Sequence, residues 1–150
     1  VARHTAEMAR VAYITCGDVE MARDAVQSAW QTAWTKLPGL RRPTSVRSWL
    51  LAVAANEARQ IARRERRRRS VEPGALTIGV DTVQPDDDFG LRRALEALPV
   101  DDRRLLAMRY GAGLTSEEIG RLLGISASGT RVRLMRLLTR LRVELRDDGP

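Results

Sequence analysis

The segment Gly113-Leu-Thr-Ser-Glu-Glu-Ile-Gly-Arg-Leu-Leu-Gly-Ile-Ser-Ala-Ser-Gly-Thr-Arg-Val-Arg-Leu-Met-Arg136 reads as a short helix, a glycine turn and a second helix carrying arginines. Thr115 followed three residues later by Glu118 is a capping box, which satisfies the first free amides of a helix starting at Ser116. Gly124 ends that helix, because a residue without Cβ adopts the left-handed turn at no steric cost. Ile125 is expected to be the buried turn residue, and Ser126 caps a last helix of about Ala127 to Arg146. Two helices joined this way form a helix-turn-helix, which sets the N-terminal half of its second helix against DNA bases. Arg131, Arg133 and Arg136 are the best candidates for phosphate or base-edge contacts. Ser128 and Thr130 are weaker ones. Leu134, Leu138, Leu141 and Leu145 form the expected core stripe, with Arg133, Arg136 and Arg140 on another face.

Outward from this segment the charge is unevenly spread. The 150 residues carry a net charge of +7. Residues 1–70 hold a net +8, residues 71–90 a net −5 and residues 91–150 a net +4. Two basic blocks flanking an acidic strip imply two polyanion contacts and a spacer. Lys36 is the only lysine among 26 basic residues; arginine suits phosphate and guanine through its planar fork of donors. Cys16 and His4 stand alone, which excludes an internal disulfide and a Cys/His zinc site. No apolar run approaches a membrane span, and no leader pattern opens the chain. There is no Gly-rich phosphate loop and no Ser/His/Asp set, so we expect no enzyme, no cofactor and no metal.

The first basic block reads as helices. Residues 3–15 form one, ended by Gly17. Asp18 caps the next, Val19 to about Lys36, whose apolar side is Ala22, Val26, Ala29, Ala33 and Leu37. Its opposite stripe is Asp24, Gln27, Ser28 and Gln31, on residue type alone a solvated face. Pro38-Gly39 stops it, and Leu40–Ser45 is a loop holding Arg41, Arg42, Thr44 and Ser45. A long helix follows, about Val46 to Arg69. Val46, Trp49, Leu50, Val53, Ala54 and Ile61 belong to its buried side. Asn56, Arg59, Gln60 and Arg63 belong to the other, continuing with Arg64 into an arginine-rich end that suits salt-sensitive nucleic-acid binding. Trp30 and Trp34 either pack or border an exposed base. Residues 70–88 show no period and read as a flexible acidic linker. Beyond it come a helix at Phe89–Leu98, a break at Pro99 and a helix from Asp101 to Tyr110. The expectation is an all-α chain of two small helical domains, 1–69 and 89–150, joined by the linker at 70–88.

Three segments carry a family resemblance. Ala22-Arg-Asp-Ala-Val-Gln-Ser-Ala-Trp30 resembles the Ala-Glu-Asp-Leu-Val-Gln-Glu-x-Phe motif of sigma-70 factors. Trp49-Leu-Leu-Ala-Val-Ala-Ala-Asn56 is similar to their Trp-Leu-x-x-Ile-Ala-x-Asn. Ala94 through Leu141, with Arg109-Tyr110, Glu118-Ile119 and Leu123-Gly124-Ile125, resembles their fourth conserved region. Order and spacing match the small extracytoplasmic-function (ECF) group. The resemblance implies a promoter-selecting subunit of bacterial RNA polymerase, cytoplasmic and monomeric when free. It implies that Asp24, Gln27, Ser28 and Gln31 dock on the β′ coiled coil. It implies that Arg41, Arg42, Thr44 and Ser45 with Asn56, Arg59, Gln60, Arg63 and Arg64 meet the −10 element. It further implies that Thr115, Ser128, Gly129, Thr130, Arg131, Arg133 and Arg136 meet the −35 element. In such a factor the second domain also holds the β flap, and an anti-sigma protein is a frequent partner. Arg23, Ala25 and Ser28 depart from the family motif, as does Gly129-Thr130 where Thr-Val is typical. Two other readings stay open on the sequence: a stand-alone helix-turn-helix regulator, and a degenerate sigma-like chain making only protein contacts.

Overall fold

A computed structural model of the chain describes residues 2–39, 46–71 and 89–147. Every described secondary-structure element is helical: α1 (Ala2–Cys16), α2 (Val19–Lys36), α3 (Val46–Val71), α4 (Phe89–Ala97), α5 (Val100–Leu106), α6 (Ser116–Leu123) and α7 (Ala127–Asp147). The expected loop Leu40–Ser45 and all but the first two residues of the expected linker lie outside the described residues.

The helix starts follow local chemistry. Gly17, at φ +75°, closes α1. Asp18 then takes an extended conformation and accepts a 2.9 Å hydrogen bond from the Met21 amide, satisfying one of the free donors of α2. Small side chains let α2 and α3 pack closely. Ala22, Ala25, Ala29 and Ala33 of α2 are buried, as are Ala52, Ala54, Ala55 and Ala58 of α3, with Leu50 and Leu51 between them. Met8, Val11 and Ala12 of α1 complete this part of the core. The buried seam of α3 is thus centred on Leu51, Ala55 and Ala58. Val46, Trp49, Val53 and Ile61 lie at its half-buried margin. Leu37, expected on the apolar side of α2, is exposed, because the chain leaves α2 there in a short 3₁₀ turn over Leu37–Gly39.

Pro99 ends α4 and caps α5. The helix starting at Val100 does not run straight to Tyr110. Its last turn widens into a π-helical turn over Ala107–Gly111, closed by the Ala112 amide on the Ala107 carbonyl at 2.9 Å. The wider turn keeps Ala107 and Met108 fully buried. It also brings Gly111 against α1: a Cβ on Gly111 would lie 2.9 Å from Ile14 Cδ1. The apolar core of the described residues is therefore one cluster running through both helical units.

The α6–α7 pair has the expected turn. Thr115 Oγ1 accepts from the Glu118 amide at 3.2 Å, and Glu118 Oε2 accepts from the Thr115 amide at 2.7 Å. Gly124 sits at φ +70°. Ser126 Oγ accepts from the Gly129 amide at 3.0 Å, so it caps α7. Two expectations are corrected. Ile125 is exposed, because the Gly124 turn leaves it on the outer rim. Leu145 is exposed, and the buried set is Leu134, Leu137 and Leu141, with Leu138 half-buried beside it. Thr115→Ala removes the capping hydroxyl and should cost about 1 kcal/mol, read as a lower Tm by circular dichroism.

Candidate nucleic-acid interface

The N-terminal half of α7 presents Ser128, Gly129, Arg131, Arg133 and Arg136 at the surface. Ser128 Oγ lies 3.3 Å from the capping Ser126 Oγ. Arg131 pairs with Glu117 of α6 at 3.2 Å, a solvated contact that DNA phosphate can replace. Thr130 does not belong to this surface. It is 0% exposed, and its hydroxyl donates to the Ser126 carbonyl at 3.0 Å. It faces inward because its position on the helix is that of the Leu134 and Leu137 stripe. Thr115 is exposed, but its hydroxyl is engaged in the cap. Arg109 anchors the connection before α6, donating to the Leu114 carbonyl at 3.1 Å.

On the first unit, Asp24, Gln27 and Gln31 form an exposed stripe on α2, with Ser28 half-buried beside it. Among the described residues none of these four side chains makes a hydrogen bond or ion pair; the Gln31 backbone carbonyl is engaged by the Thr35 hydroxyl at 3.4 Å. Arg41, Arg42, Thr44 and Ser45 lie outside the described residues. Gln60 and Arg64 of α3 are exposed.

Asn56, Arg59 and Arg63 differ from the expected open face. All three turn toward the second unit. Arg59 Nε donates to Asp101 Oδ1, and Arg63 Nη2 donates to Asp101 Oδ2 at 2.7 Å. Arg104 Nη1 donates to Asn56 Oδ1 at 2.7 Å. Arg47, at the start of α3, bridges Glu7 of α1 at 2.9 Å and the Ala112 carbonyl at 3.2 Å. Ser48 donates to Glu118 at 3.4 Å. Asp102 accepts from Arg140 of α7 at 2.8 Å and lies 3.6 Å from Arg133.

These contacts set the local electrostatics. Burial pushes the Asp101 carboxyl up, but the Arg59 hydrogen bond and the charges of Arg59, Arg63 and Arg104 outweigh it, so the group titrates below its ordinary value. Burial moves Arg103 and Arg104 down from the usual guanidinium range, though a guanidinium remains charged in a protein. Burial likewise raises the Cys16 thiol, which keeps it protonated and inert. Among the described residues no group of His, Cys, Asp and Glu is placed to hold a metal ion, and no helix is long and apolar enough to cross a membrane.

Sequence reading missed Asp101, Asp102 and Arg104 as partners of these surfaces. Asp101 was expected only as a helix start, and its pairing with Arg59 spans 42 residues, beyond any periodic signal.

Comparison with known proteins identifies the two units. Residues 1–68 match the model of sigma-70 region 2, and residues 89–141 match that of sigma-70 region 4. CarQ of Myxococcus xanthus, an RNA polymerase sigma factor, is 32% identical over 127 residues, covering 81% of this chain and 73% of CarQ. The chain belongs to the sigma-70 family. RfaY of Xanthomonas campestris pv. campestris is 32% identical over 85% of this chain, which spans only 35% of RfaY. The ECF sigma factor SigM of Mycobacterium tuberculosis is 26% identical, over 93% of this chain and 71% of SigM. The fold resembles that of RpoE from Bartonella quintana, solved with the anti-sigma factor NepR, at a TM-score of 0.77 and 20% identity over 99% of this chain and 95% of RpoE. As an ECF-type sigma-70 factor the chain is a transcription initiation factor. It acts by promoter recognition, and it is not an enzyme.

Proposed function

We propose that this sigma factor divides promoter recognition between its units: 1–69 as the −10 and polymerase unit, 89–150 as the −35 unit, with 70–88 as the tether. The observation that carries the reading is the capped α6–α7 turn with Arg131, Arg133 and Arg136 exposed on the leading half of α7. A helix entering the major groove needs its reading side chains there. Ser128 and Gly129 lie on the same rim, where a residue without a side chain lets a phosphate come near the backbone.

On the first unit, the stripe Asp24, Gln27, Ser28 and Gln31 docks on the β′ coiled coil of bacterial core polymerase. Its support is an exposed polar helix face with no partner among the described residues, at the position of the family's Asp-x-x-Gln motif. The segment holding Arg41, Arg42, Thr44 and Ser45, with Asn56, Arg59, Gln60, Arg63 and Arg64 of α3, meets the −10 element. Two weak contacts on one tether bind together through effective concentration. The remaining partners are the β flap for the second unit and an anti-sigma protein of the kind RpoE binds. When free, the chain is a cytoplasmic monomer.

Run-off transcription with bacterial core polymerase and a promoter library tests this. Wild-type protein yields discrete start sites. Asp24→Ala/Gln27→Ala lowers transcript yield roughly 30-fold, the loss expected of a docking hot spot, with circular dichroism unchanged. Start sites that are independent of the added protein, or a double variant as active as wild type, would sink the assignment. Tight duplex binding by the isolated protein without transcripts would return it to the stand-alone regulators.

A further inference from the structure

We propose that the Asp101–Asp102 pair at the start of α5 is an internal substitute for DNA phosphate, which masks the α3 surface while the chain is free. The inference rests on the reading above, that Asn56, Arg59 and Arg63 contact promoter DNA.

The pair joins two surfaces. Asp101 takes Arg59 on one carboxylate oxygen and Arg63 on the other. Those arginines are four residues apart, so they lie on one face of α3. One anionic group bridging two guanidinium forks is how a backbone phosphate would sit there. Arg104, three residues further along α5, donates to Asn56 Oδ1 and occupies that acceptor. Asp102 turns the other way, to Arg133 and Arg140 of α7. Two adjacent carboxylates thus neutralise arginines from both units. Their place in the first turn of a helix favours negative charge there. A DNA strand reaching Arg59 and Arg63 must displace Asp101, and with it the second unit.

The polar part of the contact is incompletely satisfied. The Nε atoms of Arg103 and Arg104 are buried with no hydrogen-bond partner. Groups left unsatisfied in this way regain water when the units part. Its principal polar members are ion pairs and a charged hydrogen bond, which salt, phosphate or a competing polyanion weakens.

The test uses the full chain. Asp101→Asn removes the one carboxylate charge that spans the units while keeping its shape; Asp102, which pairs with Arg133 and Arg140 of its own unit, is left in place. Glu96→Gln removes one charge from an exposed pair on α4 and controls for net charge. Binding of a fluorescent single-stranded oligonucleotide is measured by anisotropy, and the radius of gyration by small-angle X-ray scattering. The aspartate variant is expected to bind about tenfold tighter than the control variant, the order set by two or three freed phosphate contacts at moderate salt, and to be more expanded. Expansion without tighter binding would mean that α3 is not a DNA surface, which overturns the masking idea together with the α3 assignment. Unchanged dimensions would overturn the latch itself. Arg59→Ala/Arg63→Ala separates the two further: it should expand the chain and weaken oligonucleotide binding, whereas a purely structural pair would expand it without that loss.

Discussion

Gly120→Ala is expected to break the α6–α7 turn and abolish −35 recognition. By helix propensity alone the change would help, since alanine exceeds glycine by about 1 kcal/mol inside a helix. The turn reverses that sign. A Cβ on Gly120 would lie 2.6 Å from the Ile125 carbonyl oxygen and 3.3 Å from both the Ala127 nitrogen and the Ser126 carbonyl carbon. All three are backbone atoms, so no side chain can swing aside. The Ile125 amide also donates to the Gly120 carbonyl at 2.9 Å, and moving the chain to admit the methyl would break that bond. Overpacking of this kind costs roughly 1–3 kcal/mol, and more where backbone must shift. Thermal unfolding by circular dichroism should show a clear loss. Binding to a −35 duplex, measured with polymerase present, should fall with it. Gly129→Ala is the contrast: its Cβ would meet only Ser126 Oγ at 2.9 Å, a hydroxyl that can rotate. A Gly120→Ala variant as stable as wild type would mean that the turn is looser than described.

Leu51→Ala is expected to be the most damaging single truncation in the first unit. Leu51 is 0% exposed, at the centre of the α3 face that packs on α1 and α2. Much of the core that α2 and α3 share is alanine, whose short side chains cannot reach into the space left behind. Large-to-small changes at such sites cost about 2–5 kcal/mol, most where the surroundings cannot collapse. A small domain has only about 5–15 kcal/mol in total. Urea unfolding should therefore show a midpoint well below that of wild type, and transcription should fail at temperatures where the wild type works. Trp34→Ala, at 73% exposure, should change stability by no more than about 0.5 kcal/mol. If the two variants unfold alike, the buried seam of α3 has been misassigned.

Helices with a strong local grammar are legible in the amino-acid order alone. The bounds of α2 and α6 are those read from Asp18, Lys36, Thr115 and Gly124, because caps and left-handed turns depend on a few adjacent residues. The ends of α4 and α7 are legible to within a residue for the same reason. Register along the long helices is less so. Leu134, Leu138, Leu141 and Leu145 satisfy a helical period as well as the observed Leu134, Leu137 and Leu141, and the helices packed on α7 (α4 and α5 as well as α6) decide between them. Thr130 shows the same limit: as a polar residue between arginines it suited a DNA surface, yet its register turns it inward and its hydroxyl is satisfied within the helix.

By itself the sequence determined an all-helical chain of two basic units, the helix-turn-helix, and, through motif order, the sigma-70 family. The helices, the turn and the basic blocks follow from short-range rules of capping, periodicity and charge; the family follows from the resemblance of three motif segments. Only the tertiary structure decided what α3 faces. Asn56, Arg59 and Arg63 look like an open polar face along the chain, but folding brings Asp101 and Arg104 against them. The π-helical turn that seats Gly111 on Ile14 is equally invisible to a one-dimensional reading. Coulombic pairing and close packing act through space: Arg59 meets Asp101 across 42 positions, and Gly111 meets Ile14 across about a hundred.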